Sequence, residues 1–134
     1  MRAVVDTNVL VSGVLSPHGP PGRVVDAMLA NRFIVLFDDR TMAEYREVLF
    51  RPVFQFDVSE VEAILEHIER VGERVVYAPC GIVLPDASDL PFLEAAISGN
   101  ADALVTGNLK HFKPTSGRHK VPIVSPAEFL VRLT

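Results

Sequence analysis

The sequence predicts an α/β fold with three layers, α/β/α, in which helices cover both faces of a five-stranded parallel sheet. Three observations lead to this prediction. Short apolar runs alternate along the chain with segments of helical periodicity. The runs have the continuous apolar character of strands that are buried on both faces. Helical segments separate the strands one from the next, which is the connection that parallel strands require.

The strands are predicted from brief runs rich in Val, Leu, Ile and Phe. The runs cover residues 2–5, 33–37, 74–77, 103–105 and 121–124. The first run is the most informative, because Asp6 ends it abruptly and Asn8 follows two residues later. An acid at the end of a core strand packs poorly. It is well placed for a ligand, because open α/β sheets bind ligands beyond the carboxyl ends of their strands.

The helices are predicted from apolar residues at helical spacing, together with start and stop signals. They cover residues 9–15, 21–31, 40–51, 59–71, 90–98 and 126–130. The acids Asp38 and Asp39 are expected to cap the third helix. The segments Ser59–Glu62 and Ser125–Glu128 have the capping-box pattern that opens a helix. Residues 110–120, between the last two strands, are predicted to be a basic loop.

Length and composition predict one domain, residues 1–134. The chain has 49% hydrophobic residues, enough for a sizeable core, and a net charge of −4. That charge argues against a protein that coats nucleic acid, although an enzyme with clustered acids remains compatible with it. The single cysteine, Cys80, excludes an intramolecular disulfide. No secretory or membrane-spanning pattern is visible, so a cytoplasmic protein is expected.

Four separate segments are expected to deliver polar side chains to one edge of the sheet, because each helix begins where the preceding strand ends. These side chains are Asp6, Asn8, Glu44, Asp86, Asp89, Thr106 and Asn108. Carboxylates held together repel one another, so they must bind a proton or a cation. Clustered oxygen ligands suit Mg²⁺ or Mn²⁺, and such an ion suits phosphoryl chemistry.

A purely structural explanation competes with this one, because acids also favour helix N-termini. Asp38, Asp39 and Asp57 are best explained as caps. Asp6 is not, since it ends a buried strand. For Glu44, and for Asp86 and Asp89 taken singly, spacing favours neither explanation, and their joint arrival at one edge carries the functional interpretation.

Four segments resemble the successive motifs of the PIN domain family. They are Asp6-Thr-Asn-Val-Leu10, Glu44-Tyr-Arg-Glu-Val-Leu49, Asp89-Leu-Pro-Phe-Leu-Glu-Ala-Ala96 and Ala101-Asp-Ala-Leu-Val-Thr-Gly-Asn108. The stretch Val105-Thr-Gly-Asn-Leu-Lys-His-Phe112 is similar to a subgroup of toxin components of toxin–antitoxin systems, the VapC-like proteins. The resemblance rests on the order and separations of the four motifs together, and it covers essentially the whole chain.

The resemblance implies a sheet of order 3-2-1-4-5 and a ribonuclease that depends on Mg²⁺ or Mn²⁺. Asp6, Glu44 and Asp89 match the catalytic, metal-binding acids of the family. Asp86 is an additional candidate metal ligand, and Asn8 and Thr106 match supporting polar positions.

Asn108 stands where many family members have a further acid, which puts a second metal in doubt. The resemblance also implies an RNA substrate, an antitoxin protein that blocks the acidic cleft, and a homodimer. Basic residues after strand 4 are candidates for holding the RNA backbone, with a solvated loop as the equal alternative. They are Lys110, Lys113, Arg118 and Lys120, with His111 and His119 among them.

Two other functions are compatible with parts of the sequence. A PIN-like module that binds RNA or protein without cutting is the main alternative, and Asn108 is the residue that favours it. A receiver-like phosphoacceptor domain needs an acid after strand 3 and a lysine after strand 5. Residues 75–78 and 124–127 supply neither, so this function ranks last.

Overall fold

The structure is a computed structural model that describes all residues from Met1 to Thr134. Five parallel strands form one sheet in the order β3-β2-β1-β4-β5, which confirms the predicted fold class and strand order. The strands are β1 Arg2–Val5, β2 Ile34–Phe37, β3 Glu73–Arg74, β4 Ala103–Val105 and β5 Ile123–Val124. The helices are α1 Thr7–Leu15, α2 Pro20–Leu29, α3 Asp39–Leu49, α4 Val58–Val71, α5 Leu90–Ser98, α6 Leu109–Phe112 and α7 Pro126–Arg132. Short 3-10 turns occupy Ala87–Asp89 and Lys113–Thr115.

The central strands are buried on both sides, as continuous apolar runs predict. Helix α5 packs against β1, β2 and β4, whereas α7 packs against α2 and β4. The crossover from β1 to β2 and the crossover from β3 to β4 run in opposite directions across the sheet. Because such crossovers are right-handed, their helices cover opposite faces. The buried apolar residues form a single core.

Tyr45 connects the sheet to the helices that surround the carboxyl edge. Its side chain is fully buried, and its hydroxyl donates a hydrogen bond to the carbonyl oxygen of Val5. Its ring also packs against Phe92 of α5, with the ring centroids 5.8 Å apart. The residue before Tyr45 is Glu44, so this anchor fixes Glu44 near the end of β1.

The structure confirms the predicted capping box of α7 and contradicts the one predicted at Ser59. Ser125 caps α7 with the predicted box, its Oγ accepting from the Glu128 N–H at 3.1 Å. The box predicted at Ser59 is wrong, because α4 begins one residue earlier. Asp57 is its cap and accepts from the N–H groups of Ser59 and Glu60 at 2.8 and 3.2 Å. At α3, Asp38 is the cap and Asp39 is the first helical residue.

Strand β3 is shorter than predicted, since residues 76–77 do not pair. Its partner β2 ends at Phe37, where Asp38 begins to cap α3. The N–H of Val75 still reaches the Phe37 carbonyl oxygen at 2.7 Å, but no backbone partner lies beyond it. The predicted basic loop instead begins with helix α6 and the following turn. None of the helices combines the length and apolar character needed to cross a membrane.

Candidate metal centre at the carboxyl edge of the sheet

Asp6 lies at the end of β1 with only 4% of its surface exposed. The Thr106 hydroxyl donates to its Oδ2 at 2.8 Å, and the same hydroxyl accepts from the Asn108 N–H at 3.0 Å. Burial raises the pKa of Asp6 to about 6, with help from the negative charges of Asp89 and Glu44. The Thr106 bond opposes this rise only in part. At neutral pH the protein therefore carries a buried carboxylate in unfavourable surroundings.

Glu44 faces Asp6 from α3 and is half-buried. The Thr7 hydroxyl, in the first turn of α1, donates to its Oε2. Burial raises the pKa of Glu44 and the charges of Asp89 and Asp86 add to the rise, whereas the Thr7 bond lowers it. Thr7 was not among the predicted site residues, because the helix was expected to begin at residue 9, whereas α1 begins at Thr7.

Asp89 sits where the 3-10 turn before α5 joins that helix, and it is 7% exposed. Burial raises its pKa, the charge of Asp86 adds to this, and His111 opposes it. The Nδ1 atom of His111 lies 3.1 Å from Oδ2 of Asp89. Asp86 is exposed, and hydrogen bonds from the Ser88 hydroxyl and N–H lower its pKa.

The acids at this edge divide into a tight set and a looser one. One ligand atom each from Asp86, Asp89 and His111 can be chosen so that all lie within 4.8 Å of one another. Asp89 and Glu44 are near enough to raise the pKa of Asp6, and Asp89 also raises that of Glu44, but no such tight set includes Asp6 or Glu44. Four acids face one region with no Lys or Arg paired to any of them. This donor set fits a hard divalent cation, which would neutralise the repulsion.

The supporting residues tie the loop after β4 to the start of α1. Asn8 Oδ1 accepts from the Gly107 N–H at 3.2 Å, and Thr106 holds Asp6 as described. Asn108 is exposed, and its side chain makes no hydrogen bond within the chain. Its amide is thus free for a ligand or water at the rim, while its backbone N–H orients Thr106.

The four predicted RNA-binding residues are exposed, but they do not line one common cavity. Lys110 is next to His111 in α6, and Lys113 lines a cavity of about 300 Å³ with Phe112 and Ile123. Arg118 and Lys120 line a different cavity, of about 290 Å³, that also includes Asn100 from the end of α5. The chain there is returning to the amino end of β5, which is the edge of the sheet opposite to Asp89.

A second group of charges near this edge escaped the sequence prediction. Arg40 of α3 binds buried Asp38 and buried Glu94, with nitrogen–oxygen distances of 2.9 and 2.8 Å. The other oxygen of Glu94 accepts from the Cys80 N–H at 3.0 Å. Glu94 belongs to the third family-like motif, but no local pattern indicates that its partner is Arg40, 54 residues away.

Comparison with solved structures shows similarity to a chain of VapBC2 from Rickettsia felis, solved bound to a DNA fragment from their promoter. The identity is 17% and the TM-score is 0.59, over 93% of this chain and 98% of that chain. At that identity the similarity concerns the fold alone. No curated protein sequence matches the chain. The family model of the PIN domain, in contrast, matches residues 2–110. The chain therefore belongs to the PIN domain family.

Proposed function

We propose that this protein is an endoribonuclease dependent on Mg²⁺ or Mn²⁺ and the toxin of a toxin–antitoxin pair. The observation that carries the proposal is that Asp6, Glu44 and Asp89 lie at one edge of a PIN fold, without a Lys or Arg partner, and near enough for Asp89 to raise the pKa of the other two. Buried carboxylates with raised pKa values and no paired cation are typical of functional sites rather than of structural ion pairs.

The metal would be held by Asp6, Glu44 and Asp89, with Asp86 as a further ligand at the exposed side. When bound by these acids, a divalent cation would supply an activated water for in-line attack on a phosphodiester and stabilisation of the leaving oxygen. The protein's own contribution is orientation. Thr106 fixes the Asp6 carboxylate, and Thr7 fixes Glu44. Asn8 holds the backbone of Gly107, so that the exposed Asn108 amide stays at the rim, where it can position water or substrate.

The RNA backbone would approach along α6. Lys110 and Lys113 are exposed and follow directly from the rim residue Asn108, so they suit contacts to phosphates. Arg118 and Lys120 would be reached only by a longer strand, because they lie toward the opposite edge of the sheet. Truncating Lys110 should therefore weaken RNA binding more than truncating Lys120.

The proposed partners are an antitoxin protein and a second copy of the chain. The similar R. felis chain was solved as VapBC2 with promoter DNA, which supports a protein partner of this kind. An antitoxin would act by covering the acidic edge, and RNA as substrate is consistent with a cytoplasmic location. A small DNA-binding protein encoded next to this chain would support the toxin role.

Cleavage of a generic RNA by the EDTA-treated protein, with and without added Mn²⁺, tests the enzymatic proposal. We expect cleavage only with the metal, and a loss of at least about 100-fold in Asp6→Asn or Asp89→Asn. The matched control is Asp26→Asn, because Asp26 is an exposed acid on α2. Equal rates in wild type and Asp6→Asn would remove the enzyme claim.

A binding module that does not cut is the second candidate function. Asn108 favours it, because an amide in place of an acid supplies one negative charge fewer to the site. RNA retained with unchanged length in the same assay, in the presence of Mn²⁺, would select this function over the nuclease.

A further inference from the structure

His111 is placed to act together with two of the acids. It lies in α6, one turn after Asn108, and its N–H donates to the Asn108 carbonyl oxygen at 3.0 Å. Its ring is partly exposed, and its Nδ1 lies 3.1 Å from Asp89 Oδ2. The Nε2 atom makes no hydrogen bond within the chain. Since α6 packs against β5 and the following turn, the ring projects from a segment with a defined position.

The spacing of Asp86, Asp89 and His111 matches that of ligands around one ion. Two ligands at right angles and about 2.1 Å from a metal are roughly 3 Å apart, and opposite ligands are roughly 4.2 Å apart. The 3.1 Å separation of Asp89 and His111, and the 4.8 Å limit for the whole set, fit that range with only small side-chain shifts.

The two acids are also oriented for this role. Both hydrogen bonds from Ser88 go to Oδ1 of Asp86, which leaves Oδ2 of Asp86 free. Asp89 is held in a buried position at the start of α5. Two carboxylate oxygens from the start of the α5 segment and one imidazole nitrogen from α6 therefore converge. The first segment precedes β4 in the sequence, and the second follows it.

We propose that Asp86, Asp89 and His111 form a cation subsite with a nitrogen ligand, which binds transition ions such as Mn²⁺ or Co²⁺ in preference to Mg²⁺. A nitrogen ligand favours first-row transition ions, with an affinity that rises from Mn²⁺ to Co²⁺ and beyond, whereas Mg²⁺ prefers oxygen ligands alone. The subsite shares Asp89 with the proposed nuclease centre, so the inference rests on that function for its biological role. Its chemistry can be tested separately from catalysis.

The experiment is pulsed EPR of Mn²⁺ bound to the untagged, EDTA-treated protein, combined with calorimetric titration of Mn²⁺ and Mg²⁺. Directly bound imidazole couples its ¹⁴N nucleus to the Mn²⁺ electron spin. We expect this coupling in wild type and in the control His18→Gln, whose histidine is exposed in the turn before α2. We expect His111→Gln to lose the coupling and at least about tenfold in Mn²⁺ affinity, with a smaller change for Mg²⁺.

A second variant separates ligation from folding. His111→Asp replaces nitrogen with oxygen, and it should recover much of the Mn²⁺ affinity without ¹⁴N coupling. Bound Mn²⁺ without coupling in wild type, or coupling that persists in His111→Gln, overturns the subsite and leaves the nuclease proposal intact. Coupled Mn²⁺ in a protein that does not cleave RNA supports the subsite and contradicts the nuclease. Absence of any Mn²⁺ binding contradicts both.

Discussion

Two pairs of buried carboxylates lie near the carboxyl edge of the sheet, and their charges are balanced differently. Asp38 and Glu94 share one guanidinium, that of Arg40, at 2.9 and 2.8 Å. Asp6 and Asp89 are equally buried but have no Lys or Arg partner, and burial raises the pKa of each. A buried acid with its own cation is a structural link, whereas one without it needs a proton or an external ion.

The first pair stabilises the framework that holds the second. Through Arg40 and Glu94, helix α3 is joined to helix α5, and Glu94 also holds the Cys80 N–H in the segment that leads to Asp86. The Arg40 guanidinium lies over the Tyr77 ring, 3.3 Å from its centroid. Burial lowers the Arg40 pKa, but bonds to Glu94 and Asp38 outweigh this and raise it. An ion-pair network thus joins helix α3, which carries Glu44, to helix α5, at whose start Asp89 lies.

Removal of the shared cation should have the largest effect on stability. Arg40→Met leaves Asp38 and Glu94 buried without a positively charged partner, so we expect a loss of about 3–5 kcal/mol in the free energy of unfolding. Urea denaturation measures this. The exposed pair of Arg51 with Glu47 is the control, and Arg51→Met should cost under about 1 kcal/mol. Equal small losses in the two variants would show that the Arg40 network is not a structural link.

The pH dependence of stability should show that Asp6, unlike the paired acids Asp38 and Glu94, destabilises the folded protein when it is ionised. Its pKa is about 6 when folded, against a usual 3.8, so folding favours the protonated form. This contribution is fully present below about pH 4 and is lost as pH rises through about 6. The loss amounts to about 3 kcal/mol in the metal-free protein. Subtracting the free energy of unfolding of Asp6→Asn from that of wild type at each pH isolates the contribution of Asp6. A difference that does not change with pH would contradict the raised pKa of Asp6.

Replacement of the unpaired acid should stabilise the protein at neutral pH. Asp6→Asn removes a buried charge and keeps an oxygen that can accept the Thr106 bond. We expect a gain of about 2 kcal/mol in the metal-free free energy of unfolding, together with the loss of cleavage described above. If urea denaturation shows Asp6→Asn to be destabilised, then Asp6 is a structural acid like Asp38.

The smallest expected effect concerns the orientation of Glu44. Thr7→Val removes the hydroxyl that donates to Glu44 and keeps a similar shape. We expect about a tenfold decrease in the cleavage rate and a stability loss of about 1 kcal/mol. Thr7→Ser keeps the donor and is the matched control, measured in the same assays. A rate in Thr7→Val equal to that in Thr7→Ser would show that this bond does not position Glu44.

The contrast between the two pairs also explains what the sequence could and could not reveal. Chain direction places the end of every parallel strand at one edge, so Asp6 and Thr106 could be assigned to the same rim from local patterns. The Arg40–Glu94 pair could not, because it depends on how α3 packs on α5. The capping error at Ser59 arose from a nearer and better acceptor, Asp57.

The sequence also failed to predict the end of β3 and the position of His111. Strand β3 ends early because its partner turns into α3, a limit that the apolar residues 75–77 do not encode. His111 was grouped with the lysines by charge, although a histidine three residues after Asn108 would share its side of a helix. Only the helical start of that segment brings it to Asp89.

Thermal unfolding of the metal-free protein with and without saturating Mn²⁺, near pH 8, tests most directly whether Asp6, Glu44 and Asp89 form a cation site. Binding to the folded state alone adds about 2.7 kcal/mol when free Mn²⁺ is about 100-fold above its Kd. We predict an increased midpoint for wild type, a smaller increase for Asp6→Asn, which keeps the Asp86–Asp89–His111 subsite, and a wild-type-like increase for Arg51→Met. An unchanged wild-type midpoint, or an equal increase in Asp6→Asn, would contradict the account.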